Sequence, residues 1–492
     1  MTKIKKIYLD HAATTPTHPE VLEAMLPYYK EFFGNPSSAY TLGRKARKAV
    51  DKARADVASL IGADPLEIVF TSGGTEADNL AIRGIACARE AKGRHIITSA
   101  IEHHAVLNTC KYLEERGFSV SYLPVDGYGL VDPDDVKKAI TSDTILITIM
   151  YANNEVGTIE PIKEIGLVAK KNGILFHSDA VQAVGKIPVD VATLNVDLLS
   201  VSGHKIYGPK GVGALYIKNG VEITPLLYGG GHEKNLRAGT ENVPGIVGLG
   251  KACEIASRDL ESQMSCLQGL RDRLQTQITE KIHRTRINGH PLKRLPHILS
   301  ASFEYVDGES IIANLDLKGI DASAGAACTS GDRQPSHVLS AMRVSPDVAI
   351  GTVRFSLGRE TTKEEIEYTK DILEESIKRL RGMCPLTEGT NLKRHCVVTF
   401  SDPHYALLSE KALDEKGLRF AFTSLPNQVD CPTCCNIALL FMCEDEEEIT
   451  SLLKDQGIEI EGTHLLEGPS PVVRAIRLVG LKRKEMEFWS RR

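Results

Sequence analysis

Several polar residues in this sequence stand where short apolar runs end, and their types suit carbonyl and thiol chemistry. Lys205 lies in Ser202-Gly203-His204-Lys205, just before the loop Gly208-Pro209-Lys210-Gly211-Val212-Gly213. A lysine at a strand end, unlike one on a solvated helix face, can offer its amine to an aldehyde. Asp179, in His177-Ser178-Asp179-Ala180, closes the apolar run 174–177. A carboxylate there can hold a protonated ring nitrogen, or it can cap a helix that starts at Ala180. The turn Ser72-Gly73-Gly74-Thr75 precedes a helical pattern, and free N–H groups at a helix start favour a phosphate. His103, in Glu102-His103-His104, follows the run 96–100 and can stack on a flat ring. Asn153-Asn154-Glu155 follow another run that ends at Met150. An amine, a carboxylate, a ring platform and phosphate donors are together what pyridoxal phosphate (PLP) requires.

The elements that must position these groups alternate. Residues 44–62 read as an amphipathic helix closed by Gly62, followed by a strand at 67–71 and a helix at 76–91. A strand from His95, an apolar run at 144–150, a helix near 162–171 and a strand at 174–177 continue the pattern. This predicts an α/β fold with a mostly parallel central sheet covered on both faces, whose ligands bind outside the carboxyl ends of the strands. Beyond about residue 250 the pattern changes to a long helix at 263–283, then strands, then a helix at 362–381. The segment Gly382-Met383-Cys384-Pro385 with Thr387-Glu388-Gly389 reads as a linker, and a strand, a helix and further strands follow from His395. The expected division is a large PLP-binding domain at 1–260, whose first strand packs on the small domain, and a small α/β domain at 261–384. A linker at 385–393, an extra small α/β domain at 394–470 and a basic tail at 471–492 complete it.

The 492 residues carry a formal net charge of −5, which gives no reason to expect a nucleic-acid partner. No apolar run is long enough to cross a bilayer and no signal-like segment opens the chain, so a cytoplasmic protein is expected. Eleven cysteines spread over this length do not form a disulfide scaffold. Cys87, Cys110 and Cys253 lie in helix-like apolar patterns and read as small buried hydrophobes. Cys328 differs. It sits among small residues in Ser323-Ala324-Gly325-Ala326-Ala327-Cys328-Thr329-Ser330-Gly331, a stretch that is costly to order and suits a nucleophile that must travel.

Glu102-His103, Asn153-Asn154-Glu155-Val156-Gly157, His177-Ser178-Asp179-Ala180-Val181-Gln182 and Ser202-Gly203-His204-Lys205 resemble the NifS/IscS-type cysteine desulfurases. These belong to the class V aminotransferase group of fold-type-I PLP enzymes. The opening Tyr8-Leu9-Asp10-His11-Ala12-Ala13-Thr14-Thr15 is similar too, as are Gly229-Gly230-Gly231-His232-Glu233 and Leu236-Arg237-Ala238-Gly239-Thr240. The resemblance covers about residues 5–380 and implies roles. Lys205 would take the PLP aldehyde, Asp179 the ring nitrogen and His103 the ring face. Asn154 and Gln182 would bond near the ring hydroxyl. Gly74, Thr75, Ser202 and His204 would hold the phosphate, and Thr240 would reach the phosphate of a neighbouring subunit in a homodimer. Cys328 would accept sulfur from L-cysteine as a persulfide. Arg354, in Val353-Arg354-Phe355-Ser356, would grip the cysteine carboxylate, with Asn154 beside it, through a two-pronged contact that lysine cannot make.

The C-terminal unit resembles a small selenium/sulfur carrier family through Val397-Val398-Thr399-Phe400, His404-Tyr405-Ala406-Leu407 and Cys435-Asn436-Ile437-Ala438-Leu439. Cys435 occupies the usual thiol position, while Asn436 replaces a glycine and Cys431-Pro432-Thr433-Cys434 adds a C-x-x-C pair. This cluster reads as a sulfur relay or redox pair ahead of a metal half-site, because no second C-x-x-C exists to complete the ligand set, and incidental loop thiols are the remaining alternative. The resemblance thus implies a PLP-dependent desulfurase making L-alanine and passing persulfide sulfur to an acceptor such as an iron–sulfur scaffold. A selenocysteine lyase or another enzyme of this fold, and a silent sulfur carrier, are the rival readings.

Overall fold

The structure is a computed structural model that describes residues 6–324, 335–382, 395–416, 418, 420–424 and 437–466. Cys328 and the cluster Cys431, Cys434 and Cys435 lie outside these residues. Short segments, most with an apolar centre, form the strands of a seven-stranded sheet, ordered Ile68–Thr71, Gly213–Ile217, Leu198–Ser202, Leu175–Asp179, Thr144–Thr148, His95–Ser99 and Ser119–Leu123. Only Gly213–Ile217 runs antiparallel to its neighbours; the remaining pairs are parallel. Four of the five inner strands are buried along their whole length, and Thr144–Thr148 is buried except at Thr144, as a sheet covered on both faces demands. Each fully buried aliphatic or aromatic side chain, such as Phe176 or Ile96, contributes roughly 1.5–3 kcal/mol.

The helix Thr41–Ile61 ends as the sequence suggests, with Gly62 left-handed at φ 68° and its N–H bonded to Ala58. The helix after the Gly73 turn begins earlier than expected, at Gly74, and runs to Arg89. The larger difference is the helix expected at 263–283, which spans Val243–Lys281. Gly245, Gly248 and Gly250 masked its first half in the sequence. At Gly250 the reason for glycine is packing, since a Cβ would lie 2.6 Å from Ala53 of the neighbouring helix. The expected boundary at 260/261 therefore falls inside one continuous helix.

That helix carries the chain from the core under the large sheet into a second core. There a four-stranded antiparallel sheet orders Ser323–Ala324, Thr352–Ser356, Ile298–Phe303 and Thr285–Asn288. The first strand of the chain, Ile7–Tyr8, joins this side by pairing in parallel with Ile320–Asp321. The C-terminal unit is a separate antiparallel sheet, ordered Ala421–Ser424, Ile437–Met442, His395–Thr399 and Gly462–Leu466. Cys396, Val398, Phe400, Leu439 and Phe441 pack with Leu413, Ile449 and Leu453 from the helices Pro403–Lys416 and Glu446–Asp455. Among the described residues, no helix is long and apolar enough to cross a membrane.

The thiols split. Cys110 and Cys253 are buried, as expected, and burial pushes the Cys110 thiol up to about 12. Cys87 is exposed, because it falls on the outer side of the helix Gly74–Arg89, whose apolar stripe passes through Ile82, Ile85 and Ala86.

Candidate active site

Where the parallel strands end, a cavity of about 910 Å³ opens between the two cores. Its wall includes Gly74, Thr75, His103, Asn154, Asp179, Gln182, Ser202, His204, Lys205 and Arg354. The structure thus brings together every site residue expected from the sequence within the described residues except Thr240, which is exposed and outside this cavity.

Lys205 ends the short 3-10 turn that follows the strand Leu198–Ser202. Its Nζ donates to the carbonyls of Ala12 and Ala13 at 2.6 and 2.7 Å. Burial, then the nearby Arg354 cation, lowers its pKa to about 8, so roughly a tenth is free amine at neutral pH, far more than for a solvated lysine. Asp179 is the last residue of its strand, and no helix starts at Ala180; its Oδ1 accepts the Val181 N–H at 2.9 Å. Burial raises the Asp179 pKa, opposed by the neighbouring His103 ring, the Val181 N–H bond and the Lys205 charge. Beneath it, Asp78 is also buried, 3.7 Å from His177, and its pKa is raised by burial and by the Asp179 charge.

His103 caps the helix His104–Glu114 by accepting the Ala105 N–H on Nδ1 at 3.1 Å, which fixes its ring at the cavity wall. Gln182 Nε2 donates to the Ala12 carbonyl at 3.0 Å. His204 Nδ1 lies 3.1 Å from Thr14 Oγ1, and desolvation, with help from the Lys205 charge, lowers its pKa to about 4. Gly73 is held at φ 153°, a conformation that needs glycine, and it presents the start of the helix Gly74–Arg89 to the cavity beside Ser202. A Cβ on Gly74 would stand 2.7 Å from a Val181 methyl. An amine, a buried carboxylate, an imidazole and an N–H-rich helix start around one cavity fit the aldehyde, ring nitrogen, ring face and phosphate of PLP.

Arg354, in the strand Thr352–Ser356, donates to the Asn154 carbonyl and to Asp10 Oδ1, both at 2.8 Å, while its buried Nε has no partner among the described residues. Asp10 and the carbonyls of Ala12 and Ala13 are parts of the site to which sequence reasoning gave no role, although their motif had been noticed. Glu155 and Ser336 belong with them. Ser336 donates to Glu155, whose pKa burial raises to about 6. These contacts depend on where backbone carbonyls and loop ends meet, which no residue type announces. Among the described residues no group of three or more His, Cys, Asp or Glu side chains could hold a metal.

Residues 7–369 match the Aminotransferase class-V family, and residues 395–465 match the Se/S carrier protein-like family. The chain is 56% identical over 386 residues to a cysteine desulfurase IscS of Methanosarcina thermophila, covering 78% of this chain and 95% of the relative. It is 55% identical over 390 residues to the Dictyoglomus turgidum cysteine desulfurase IscS, covering 79% and 99%. A solved NifS-like protein superposes with a TM-score of 0.72 at 42% identity, over 76% of this chain and all of that one. The solved structure of SspA in complex with cysteine gives a TM-score of 0.65 at 41% identity, over 72% and 99%. With PLP as the cofactor that its cavity fits, the chain belongs to the class-V aminotransferase family, in the IscS-type cysteine desulfurase group, and carries a Se/S carrier protein-like unit at its C-terminal side.

Proposed function

We propose that this protein takes sulfur from L-cysteine, releases L-alanine and holds the sulfur as a persulfide on Cys328. The observation that carries the reading is that Lys205 and Arg354 line one cavity. Ser323 and Ala324 line the cavity, and Ser336 bonds Glu155 in its wall. Cys328 is four residues beyond Ala324. Covalent geometry therefore limits it to about 14 Å from the Ala324 Cα.

When bound, PLP supplies the electron sink that labilises bonds at the substrate α-carbon. The chain supplies the rest. Asp179 would hold the ring nitrogen and His103 would cover the ring. Asn154 and Gln182 would bond the ring hydroxyl, while Gly74, Thr75, Ser202 and His204 would hold the phosphate. Arg354 exchanges its Asp10 contact for the substrate carboxylate and so orients the α-carbon over Lys205. Lys205, easily deprotonated, moves protons at that carbon. The Cys328 thiolate attacks the substrate sulfur. Incubation with cysteine should give alanine together with a mass increase of one sulfur on the Cys328 peptide; alanine without that modified peptide would overturn the assignment.

A homodimer agrees with two features. Leu22, Leu26, Tyr29 and Phe33 form an exposed apolar stripe along and just beyond the helix Pro19–Lys30. Thr240, outside its own cavity, is free to serve a second subunit's phosphate. Light scattering tests this. The sulfur then passes to the cluster Cys431, Cys434 and Cys435, and onward to an acceptor protein such as an iron–sulfur scaffold in the cytoplasm. A tethered acceptor has an effective concentration of about a millimolar, which favours the relay over free thiols.

A further inference from the structure

The C-terminal unit contains a second thiol pair. Cys396 lies in the strand His395–Thr399, and Cys443 directly follows the strand Ile437–Met442. These strands are antiparallel neighbours, with Cys396 opposite Phe441. Cys396 and Cys443 are joined by a disulfide, their Cα atoms 5.0 Å apart across 47 residues of sequence. The two sulfurs are not equivalent. Cys396 is 2% exposed in the core of the unit, whereas Cys443 is half-buried at its margin. Glu446, in the first turn of the helix Glu446–Asp455, places Oε2 3.4 Å from the Cys396 sulfur.

Thiol–disulfide exchange needs one accessible sulfur to be attacked, a second to leave or to resolve, and a group to move the second thiol's proton. A purely structural bond gains nothing from an ionisable carboxylate at its buried sulfur. We propose that Cys396, Cys443 and Glu446 form an exchange site that reduces sulfane sulfur, delivered as a persulfide, to sulfide. The proposal rests on the desulfurase reading only for the origin of that persulfide.

Starting from the dithiol, the Cys443 thiolate attacks the terminal sulfur of the persulfide. The donor's S–S bond breaks, and the donor leaves as a thiolate. Cys396 then passes its proton to Glu446 and attacks the Cys443 sulfur. The bond from Cys443 to the transferred sulfur breaks, and hydrosulfide leaves. The net change converts a persulfide and two thiols into a donor thiol, the Cys396–Cys443 disulfide and hydrogen sulfide. Two electrons move from the thiol pair to the sulfane sulfur. The closed bond seen here is the end state. An external dithiol reductant reopens it by attacking Cys443 and becomes oxidised itself, while Glu446 returns the proton to Cys396.

The test uses the full-length holoenzyme, reduced, desalted and given glutathione persulfide with no cysteine present. About one sulfide should appear per chain, together with a cross-linked Cys396–Cys443 peptide. Cys443→Ser should lose that peptide and reduce the sulfide burst at least about fivefold. Glu446→Gln should slow closure by about tenfold or more while closure still goes to completion, a readout that survives if the cysteine variant fails to fold. Sulfide release with Cys396 and Cys443 both recovered as free thiols would overturn the proposal. So would a bond that resists dithiothreitol in the folded chain and opens only in urea. A burst from glutathione persulfide with no alanine from cysteine would sink the desulfurase reading alone. Alanine formation without the burst would sink this site alone.

Discussion

The cavity at the sheet end and the C-terminal unit solve one problem, placing reactive groups, in opposite ways. The cavity gathers side chains from at least five segments; most arrive at the end of a strand or the start of a helix, while Arg354 lies in the middle of its strand. Its ionisable groups are displaced by burial. Lys205 is lowered to about 8 and His204 to about 4, while Asp179 is raised. The C-terminal unit holds its described reactive pair on one strand and the turn after its neighbour, with the Glu446 carboxylate beside the buried sulfur. A site built by convergence fails when any one contributor is lost. A site built on one ladder should fail alone and leave the remainder of the protein intact.

The sharpest break in that comparison is Lys205→Ala. Alanine formation should fall by about 10³-fold or more, and the near-visible absorbance of bound PLP should disappear, because no other amine lines the described cavity wall. Cys328→Ser should keep that absorbance and lose alanine formation by about 10²-fold, since an alcohol accepts sulfur poorly. Arg354→Lys should raise the KM for cysteine by about 30-fold, the lower end of the ~2–5 kcal/mol carried by a buried charged contact, with PLP content unchanged. A gentler test is pH. The rate at which apoprotein takes up PLP should climb as Lys205 loses its proton and level off above about pH 8. A rate still rising through pH 10 would mean that Lys205 is not held as described.

The smallest effect is expected from cutting the chain near residue 390. Alanine formation in excess reductant should change by less than about twofold, because the two units have separate cores. Label from sulfur-35 cysteine should then remain on Cys328. In the intact chain it should also appear between residues 431 and 435; its absence there would end the relay.

Much of the cavity was legible in the sequence because each strand end carries its own short polar motif. His103, Asn154 and Asp179 each follow an apolar run and Lys205 precedes a glycine-rich loop, while the family resemblance assigned their roles. The contacts made by backbone were not legible. Nothing in Ala12-Ala13 says that two carbonyls hold the Lys205 amine, and nothing in Asp10 says that it occupies Arg354. The helix Val243–Lys281 was read short because glycines that permit close packing look like helix breakers. The pair Cys396 and Cys443 also went unread. No motif links cysteines 47 residues apart, and the only signal was strand alternation placing Cys396 with Val398 on the helix-facing side.

The pairing of Ile7–Tyr8 with Ile320–Asp321 bears on how the chain is made. Ile320 leaves the ribosome 313 residues after Ile7. At roughly 5–20 residues per second, that is a delay of roughly 15–60 s. Ile7 and Leu9 gain their second-core neighbours only from Leu267 onward, late in that interval, whereas the large sheet can already assemble. Asp10 waits longer still, for Arg354. The amine of Lys205 therefore acquires its two carbonyl partners in their anchored positions only when synthesis has passed the last strand of the small sheet. A ribosome stalled before residue 350 would carry a nascent chain with a folded sheet and an unfinished lysine.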